Sequence, residues 1–277
     1  MTAVFILVLY NLTLKNSTSF SSISQSLKRA REKGFIFIFD NSKNRQLIEN
    51  LDNNIWSGYH YYNCPNNKGV SYAYNKGVEY AKKNHAKWVV LLDQDTDFEK
   101  NFIQVLTGAI ERNPNINLFA PKLILSNNVA FSPVIYKHKR GIAVDVKKEG
   151  IYSLYQYVPV NSGMVINVDS FLEVGGYNED VRLDFSDFQF IERFREKNKS
   201  FYLLATIGLQ SFSNDEIDIN KLKTRFKIYC ECAKNCKKMT LLDRVDYFYS
   251  VFRHTIGLII KTKKLVFIKS FIDYYMR

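Results

Sequence analysis

Short apolar runs and amphipathic stretches alternate along the first 125 residues. Ala3–Leu9 is apolar and β-branched, as a buried strand requires. Ser17–Lys33 reads as a helix that Ser17 or Ser19 can cap. Phe35–Phe39 (Phe-Ile-Phe-Ile-Phe) is a second buried strand, stopped by the turn cluster Asp40-Asn41-Ser42. The same reading predicts a short helix over Arg45–Ile55, a brief strand over Tyr59–Tyr62 and a helix over Gly69–Lys83. A strand over Lys87–Leu92, a helix over Phe98–Arg112 and a strand over Asn117–Leu123 follow. Repeated βαβ units of this length predict an α/β fold: a mostly parallel sheet with helices on both faces.

The pattern then changes. Phe131–Tyr136, Ile142–Val146 and Tyr152–Val158 lack helical period and read as added antiparallel strands or loops. Asn161-Ser162-Gly163 leads into a strand over Met164–Val168. Asp169–Val174 is a short helix closed by Gly175-Gly176, and Phe185–Lys197 is an amphipathic helix. From about Lys221 the pattern is helical throughout. Leu241, Val245, Phe248, Tyr249, Phe252, Ile256, Ile259 and Ile260 form an i, i+3/i+4 stripe with charges opposite. Lys263–Met276 mixes apolar and aromatic residues with lysines, as an interfacial helix does. Packing on the body, or a homodimer contact, is the alternative use of both helices.

Composition is that of an ordinary globular chain: 277 residues, 46 % hydrophobic and 24 % charged. No apolar run reaches the roughly 18 residues of a transmembrane helix. Ala3–Leu9 is too short for a signal peptide and lacks its basic lead-in and cleavage site. Three of the four cysteines (Cys230, Cys232 and Cys236) crowd one predicted helix with no histidine at ligand spacing, so free thiols in a reducing cytoplasm are expected. Charge divides the chain more sharply. Residues 221–277 hold 14 Lys+Arg against 4 Asp+Glu, and residues 1–220 hold 25 against 23. A nearly neutral body, residues 1–220, thus carries a basic helical tail, residues 221–277, suited to an anionic surface. No nucleic-acid recognition motif accompanies that charge.

The candidate chemistry lies after the strand over Lys87–Leu92, which stops on Asp93-Gln94-Asp95. Acids at the carboxyl end of such a strand stand where open α/β sheets bind ligands. Two carboxylates one residue apart suit a divalent cation carrying a diphosphate. A strand ending in a turn acid is the plainer reading. A haloacid-dehalogenase-type phosphatase also carries Asp-x-Asp after an apolar strand. It places the motif on its first strand, however, and the Gly-Thr that usually follows is absent here.

Several motifs fall in one order: Tyr10-Asn11 after the first strand, Asp40-Asn41-Ser42 after the second, then Asn67-Lys68-Gly69 and Asn75-Lys76-Gly77. Asp93-Gln94-Asp95 follows, and Gly175-Gly176-Tyr177-Asn178-Glu179 precedes Asp184-Phe185-Ser186-Asp187. Over residues 3–210 this order resembles the inverting glycosyltransferases of family 2, which have the GT-A fold. The form Leu-Leu-Asp-Gln-Asp-Thr most resembles their rhamnosyltransferase-like branch. The resemblance implies a GT-A domain plus a C-terminal helical appendage. It also implies a dTDP-sugar or UDP-sugar donor, Mg²⁺ or Mn²⁺, and a polyprenyl-diphosphate-linked or other glycan acceptor.

It further implies that Tyr10 and Asp40 hold the pyrimidine and ribose, that Lys68 and Gly69 lie over the nucleotide, and that Gln94 belongs to the donor site. Asp93 and Asp95 would hold the metal, Asp95 more directly, and Asn161, Ser162 and Gly163 would line the sugar and acceptor pocket. Asp187 matches the catalytic base. The chemistry agrees with these types: a carboxylate can accept the pyrimidine N3–H, and one base suffices where a metal carries the leaving-group charge. Plainer readings remain: an Asx turn at Asp40 and a helix cap at Asp184, Ser186 or Asp187.

The chain departs from the family pattern at Ser186 and Gln189, where acids are common, and at Gln210 (followed by Ser211-Phe212), where a metal-ligating His is usual. Gln is the weaker ligand for Mn²⁺. His60, His85, His138 and His254 match no ligand position. The function this resemblance implies is sugar transfer, with L-rhamnose as the expected sugar, in capsule or cell-wall polysaccharide synthesis by a peripheral protein on the inner face of the plasma membrane. A catalytically degenerate nucleotide-sugar or membrane-binding homologue is the alternative.

Overall fold

The computed structural model describes residues 2–49, 51–210 and 218–277. Strand β1 (Ala3–Leu9) sets the layers. Its side chains alternate: Val4, Ile6 and Val8 enter one core, and Phe5, Leu7 and Leu9 the other. Helix α1 (Thr18–Ala30) is capped by Ser17, whose hydroxyl accepts the Phe20 N–H, and lies on the second face. β2 (Gly34–Asp40) and β3 (Trp56–Asn63) extend the sheet in parallel. α2 (Val70–Lys83) covers the first face, and β4 (Trp88–Leu92) pairs with β1 on its other side. A Cβ at Gly77 would stand 2.6 Å from Ile6, so glycine lets α2 approach the sheet.

β5 (Thr96–Phe98) is followed by α3 (Phe102–Arg112) and β6 (Leu118–Leu125). The short strands β7 (Ala130–Ser132), β8 (Val134–Lys137), β9 (Arg140–Ala143) and β10 (Gly150–Ser153) occupy the stretch expected to be antiparallel. β11 (Val165–Asn167) leads into α4 (Val168–Glu173), and α5 (Ser186–Lys197) into β12 (Ser200–Gln210). Among the described residues the main sheet runs β10-β12-β6-β11-β4-β1-β2-β3. β4, β1, β2 and β3 are mutually parallel, as are β6 and β12, and β11 lies antiparallel between β4 and β6. The expected α/β architecture therefore holds, with an antiparallel strand inserted.

Three elements differ from expectation. The described residues of 45–55 form no helix. The Asp52 side chain accepts the Asn54 N–H and its carbonyl accepts the Ile55 N–H, an Asx turn that competes with helix. Phe98, the expected first residue of the helix, instead ends β5, which pairs with β12, and α3 starts at Phe102. The hydrophobic pattern alone leaves Ser200–Gln210 unassigned, yet it is the longest strand.

The tail comprises α6 (Ile219–Asn235), α7 (Leu241–Thr262) and α8 (Val266–Phe271), the last continued by a π-helical turn to Met276. The helix expected over Lys263–Met276 is broken at its start, where Lys263 is left-handed (φ 56°). A third core joins the tail to the body: Phe226, Cys230, Tyr247, Val251 and Phe267 pack with Val181 and Phe185. All four cysteines are buried, free thiols. No helix among the described residues is long and apolar enough to cross a membrane.

Candidate active site

Parallel pairing brings the ends of three strands to one edge of the sheet. Leu9 pairs with Asp40, and Leu7 with Leu92. Tyr10, Asp40 and Asp93 therefore leave the sheet on the same side. Gln94 fastens the turn after β4 to the loop after β1: its Oε1 accepts the Tyr10 N–H at 2.8 Å, and its carbonyl accepts the Ser17 hydroxyl at 2.8 Å.

Asp93 is held from two directions. The Tyr74 hydroxyl, from α2, donates to Asp93 Oδ1 at 2.8 Å. The Asp93 N–H points to Ser162 Oγ at 3.4 Å, because β11 returns antiparallel beside β4. Burial raises the Asp93 carboxyl to about 6, Tyr74 opposes the rise, and the charge of Asp95 adds to it. Asp95 is also raised, chiefly by burial. Gln210, at the end of β12, donates its side-chain N–H to Asp95 Oδ1 at 2.7 Å and turns its amide oxygen to the Thr96 hydroxyl. Gln210 thus orients Asp95 in this structure, with its own oxygen directed elsewhere. Ser211 and Phe212, which follow it, lie outside the described residues.

Asp187 stands in the first turn of α5, entered through Phe185 in a left-handed conformation (φ 65°). It accepts the Phe188 N–H at 2.9 Å. Burial raises its carboxyl to about 7, and the negative charge of Asp93 contributes. Its neighbours are engaged elsewhere. Asp184 is clasped by both terminal nitrogens of Arg225, and Ser186 donates to the Leu183 carbonyl at 2.6 Å. A carboxyl raised to near neutrality and beside a cleft acid is suited to accept a proton at physiological pH.

An aromatic wall backs this pair. Tyr74 lies 5.7 Å from Tyr177, which stacks on Phe190 of α5 at 4.6 Å. The Tyr177 hydroxyl donates to Asn161 Oδ1 at 2.6 Å, and both backbone polar groups of Tyr177 bind the Asn75 amide. Asn75 and Tyr177 belong to sequence motifs that assign them no role, and Tyr74 to none, because helical spacing alone does not say which α2 residues face the acids.

The remaining candidates sit around this centre. Asp40 is buried, and its carboxylate accepts Ser42 N–H, Gln46 Nε2 (2.7 Å) and Tyr61 OH (2.8 Å). The Asx turn is therefore real, while the carboxylate keeps lone-pair capacity for a further donor. Tyr10 is half exposed. Lys68 is exposed, its ammonium 4.3 Å from the centre of the Tyr72 ring. At Gly69 (φ 89°) a Cβ would lie 2.2 Å from the Arg182 carbonyl, so the close approach is to the segment that leads to Asp187. Ser71 donates to the Val181 carbonyl in the same seam. Gly163 (φ 79°) packs on Phe98 and Pro121, and its N–H bonds the Leu91 carbonyl at 2.7 Å.

The site offers a divalent cation few donors. No group of three His, Cys, Asp or Glu converges among the described residues. What converges is two carboxylates, Asp93 and Asp95, both raised by burial with no basic side chain among the causes. An uncompensated pair of hard oxygen donors fits Mg²⁺ or Mn²⁺ completed by phosphate oxygens and water, and does not fit a metal needing nitrogen or sulfur ligands.

The family model described as glycosyl transferase family 2 matches residues 18–158, about half of the chain. The dTDP-rhamnosyl transferase RfbF of Shigella flexneri is 25 % identical over 183 residues, covering 66 % of this chain and 59 % of that protein. The chain thus spans less than two thirds of that relative. The fold is shared with GalNAc-T7, solved with UDP, GalNAc and Mn²⁺ (13 % identity, TM-score 0.58, 94 % of this chain and 57 % of that one). It is shared too with S. aureus TarS 1–349 in complex with UDP (11 %, TM-score 0.55, covering 93 % and 72 %).

Proposed function

The chain belongs to glycosyl transferase family 2, and from that premise we propose that it moves L-rhamnose from a dTDP donor to a polyprenyl-diphosphate-linked glycan, with inversion, in bacterial cell-surface polysaccharide synthesis. The observation that carries the site assignment is that Asp93, at the carboxyl edge of the sheet, lies close enough to both Asp95 and Asp187 for their charges to interact, each of the three carboxyls being raised by burial. The dTDP-rhamnosyl transferase relative supports the choice of donor, and UDP-sugars are the alternative. Membership of the family removes the haloacid-dehalogenase-type reading.

In this mechanism Asp187 takes the proton of an acceptor hydroxyl as that oxygen attacks the anomeric carbon. The bond from that carbon to the diphosphate oxygen breaks, and its electron pair leaves with the nucleoside diphosphate. Asp93 and Asp95 would hold a divalent cation, which when bound offsets the charge developing on the diphosphate. Tyr74 and Gln210 fix the two carboxylates. Asp40 and the Tyr10 loop would receive the base and ribose, Lys68 a phosphate, and Ser162 and Gly163 the donor sugar. The body is the transferase domain, and the basic tail meets the membrane surface at which a lipid-linked acceptor is presented.

The degenerate alternative draws on one feature: Gln189 and Gln210 replace acid and His, and both amides are engaged in internal hydrogen bonds. Turnover separates the readings. Release of dTDP from dTDP-L-rhamnose, with and without a rhamnan-type acceptor, is expected for the wild type and lost in Asp187→Asn. Full activity in that variant removes Asp187 as the base. Tight dTDP binding without turnover on any donor supports the degenerate reading.

A further inference from the structure

Helix α7 has two apolar faces. Tyr247, Val251 and Leu258 turn inward to the third core, with Phe226, Phe267 and Phe271. At 100° per residue, Leu241, Val245, Phe248, Phe252, Ile256 and Ile260 cover another side of the helix. Each is between 40 % and 78 % exposed. That strip runs for about five turns without a charge. Beyond the break at Lys263, Leu265 and Ile268 are exposed as well. A contiguous apolar strip of this extent marks a contact surface.

The charges around it say what the contact is. From Lys237 to Arg277 the exposed ionic side chains are all basic, among them Arg244, Arg253, Lys263, Lys264 and Lys269. The three acids of the segment are turned aside onto partners: Asp243 to Lys139, Asp246 to His138 and Asp273 to Arg277. On the helix wheel Arg244 borders one edge of the strip and Arg253 the other. An apolar strip edged by cations complements a surface with an apolar interior and an anionic rim. A second copy of the chain is a poorer match, since two-fold pairing sets Arg244 and Arg253 of both copies in one uniformly positive contact.

We infer that the outer face of α7, with α8, docks on an anionic phospholipid bilayer. The helix lies in the plane of the interface, with Phe248, Phe252 and Ile256 at the headgroup–acyl boundary and Arg244 and Arg253 reaching the phosphates. The same helix packs through its inner face with Val181 and Phe185, beside Asp187. Docking therefore holds the proposed base close to the bilayer. This deepens the lipid-linked acceptor reading and rests on it for its purpose, while the binding itself is measured without donor or acceptor.

The test is co-sedimentation of the full chain with vesicles of phosphatidylcholine alone or with added phosphatidylglycerol. Binding to the phosphatidylglycerol vesicles is expected, with roughly tenfold or more weaker binding to phosphatidylcholine. Phe252→Glu with Ile256→Glu abolishes it, and Arg244→Gln with Arg253→Gln weakens it by roughly thirtyfold. All four side chains reach solvent, so circular dichroism and dTDP affinity stay at wild-type values in both variants, and the thermal midpoint falls only in the Phe252/Ile256 variant, where the Phe252 ring leaves Phe248 and Phe271. Absence of vesicle binding, equal binding to both vesicle types, or variants that bind like the wild type overturns the inference. So does a wild-type dimer, seen by light scattering, that the Phe252/Ile256 variant splits, which assigns the face to a second copy.

Discussion

Asp187→Asn is expected to remove turnover and to stabilise the protein, and the stabilisation depends on pH in a defined way. Burial holds the carboxyl near 7 in the folded protein against an ordinary 3.8. Below about pH 4 it is protonated folded and unfolded alike, and there is no penalty. As pH rises from about 4 to about 7 the unfolded chain releases this proton and the folded one does not, so folding stability is lost across that window and is level above it. A shift of about three units corresponds to roughly 4 kcal/mol as an upper bound at about 1.36 kcal/mol per unit. The side chain is only partly buried, and solvent screening reduces this to about 2 kcal/mol. Asparagine preserves an oxygen for the Phe188 N–H, now bonded at 2.9 Å, and carries no charge to bury. Urea denaturation of both proteins at pH 5.5 and 8 measures the difference, which should be larger at pH 8. Loss of a general base lowers turnover by about 10²–10⁴. A variant that keeps turnover within tenfold, or whose stability gain is the same at both pH values, refutes the reasoning.

Other consequences follow from the same geometry. Wild-type kcat/KM should level off above about 7, fall about tenfold per pH unit below it as Asp187 is protonated, and fall more steeply below about 6 where Asp93 is protonated too; a flat profile from pH 5.5 to 8 counts against it. Tyr74→Phe removes the 2.8 Å donor to Asp93, a charge-assisted bond of about 1.5–3 kcal/mol, and should lower donor turnover by roughly ten- to hundredfold in steady-state kinetics. Gln210→Ala releases Asp95 and should weaken Mn²⁺ affinity, read by calorimetry with dTDP present, by about 10–100-fold. Gly69→Ala sets a Cβ 2.2 Å from the Arg182 carbonyl at φ 89°. It should cost about 2 kcal/mol or more in urea denaturation.

Much of the body was legible because its strands are buried on both faces and read as unbroken apolar runs: Ala3–Leu9, Phe35–Phe39 and Trp88–Leu92. The acids that end them fall at one edge as a consequence of parallel pairing, so an α/β reading of the sequence already sets Asp40 and Asp93 there. Residues 45–55 misled because their helical spacing competes with the turn at Asp52, which periodicity does not weigh. β12 was obscured because an apolar run without turn signals fits strand and helix alike. Tyr74 and the donor role of Gln210 were illegible for another reason. Each acts on a side chain far away in sequence, 19 and 115 residues distant, so only the fold brings the partners together. In the tail the sequence carried the amphipathic stripe, but the division of α7 into a buried and an exposed apolar face appears only once the helix is packed.

The central claim, a donor site in which Asp93 and Asp95 bind a metal–nucleotide, is tested most directly by calorimetric titration of dTDP into wild type and Asp95→Asn, with and without Mn²⁺. The account predicts that Mn²⁺ strengthens dTDP binding to the wild type by at least tenfold and that Asp95→Asn erases this gain. Binding that is the same with and without Mn²⁺, or a gain that survives in Asp95→Asn, contradicts it.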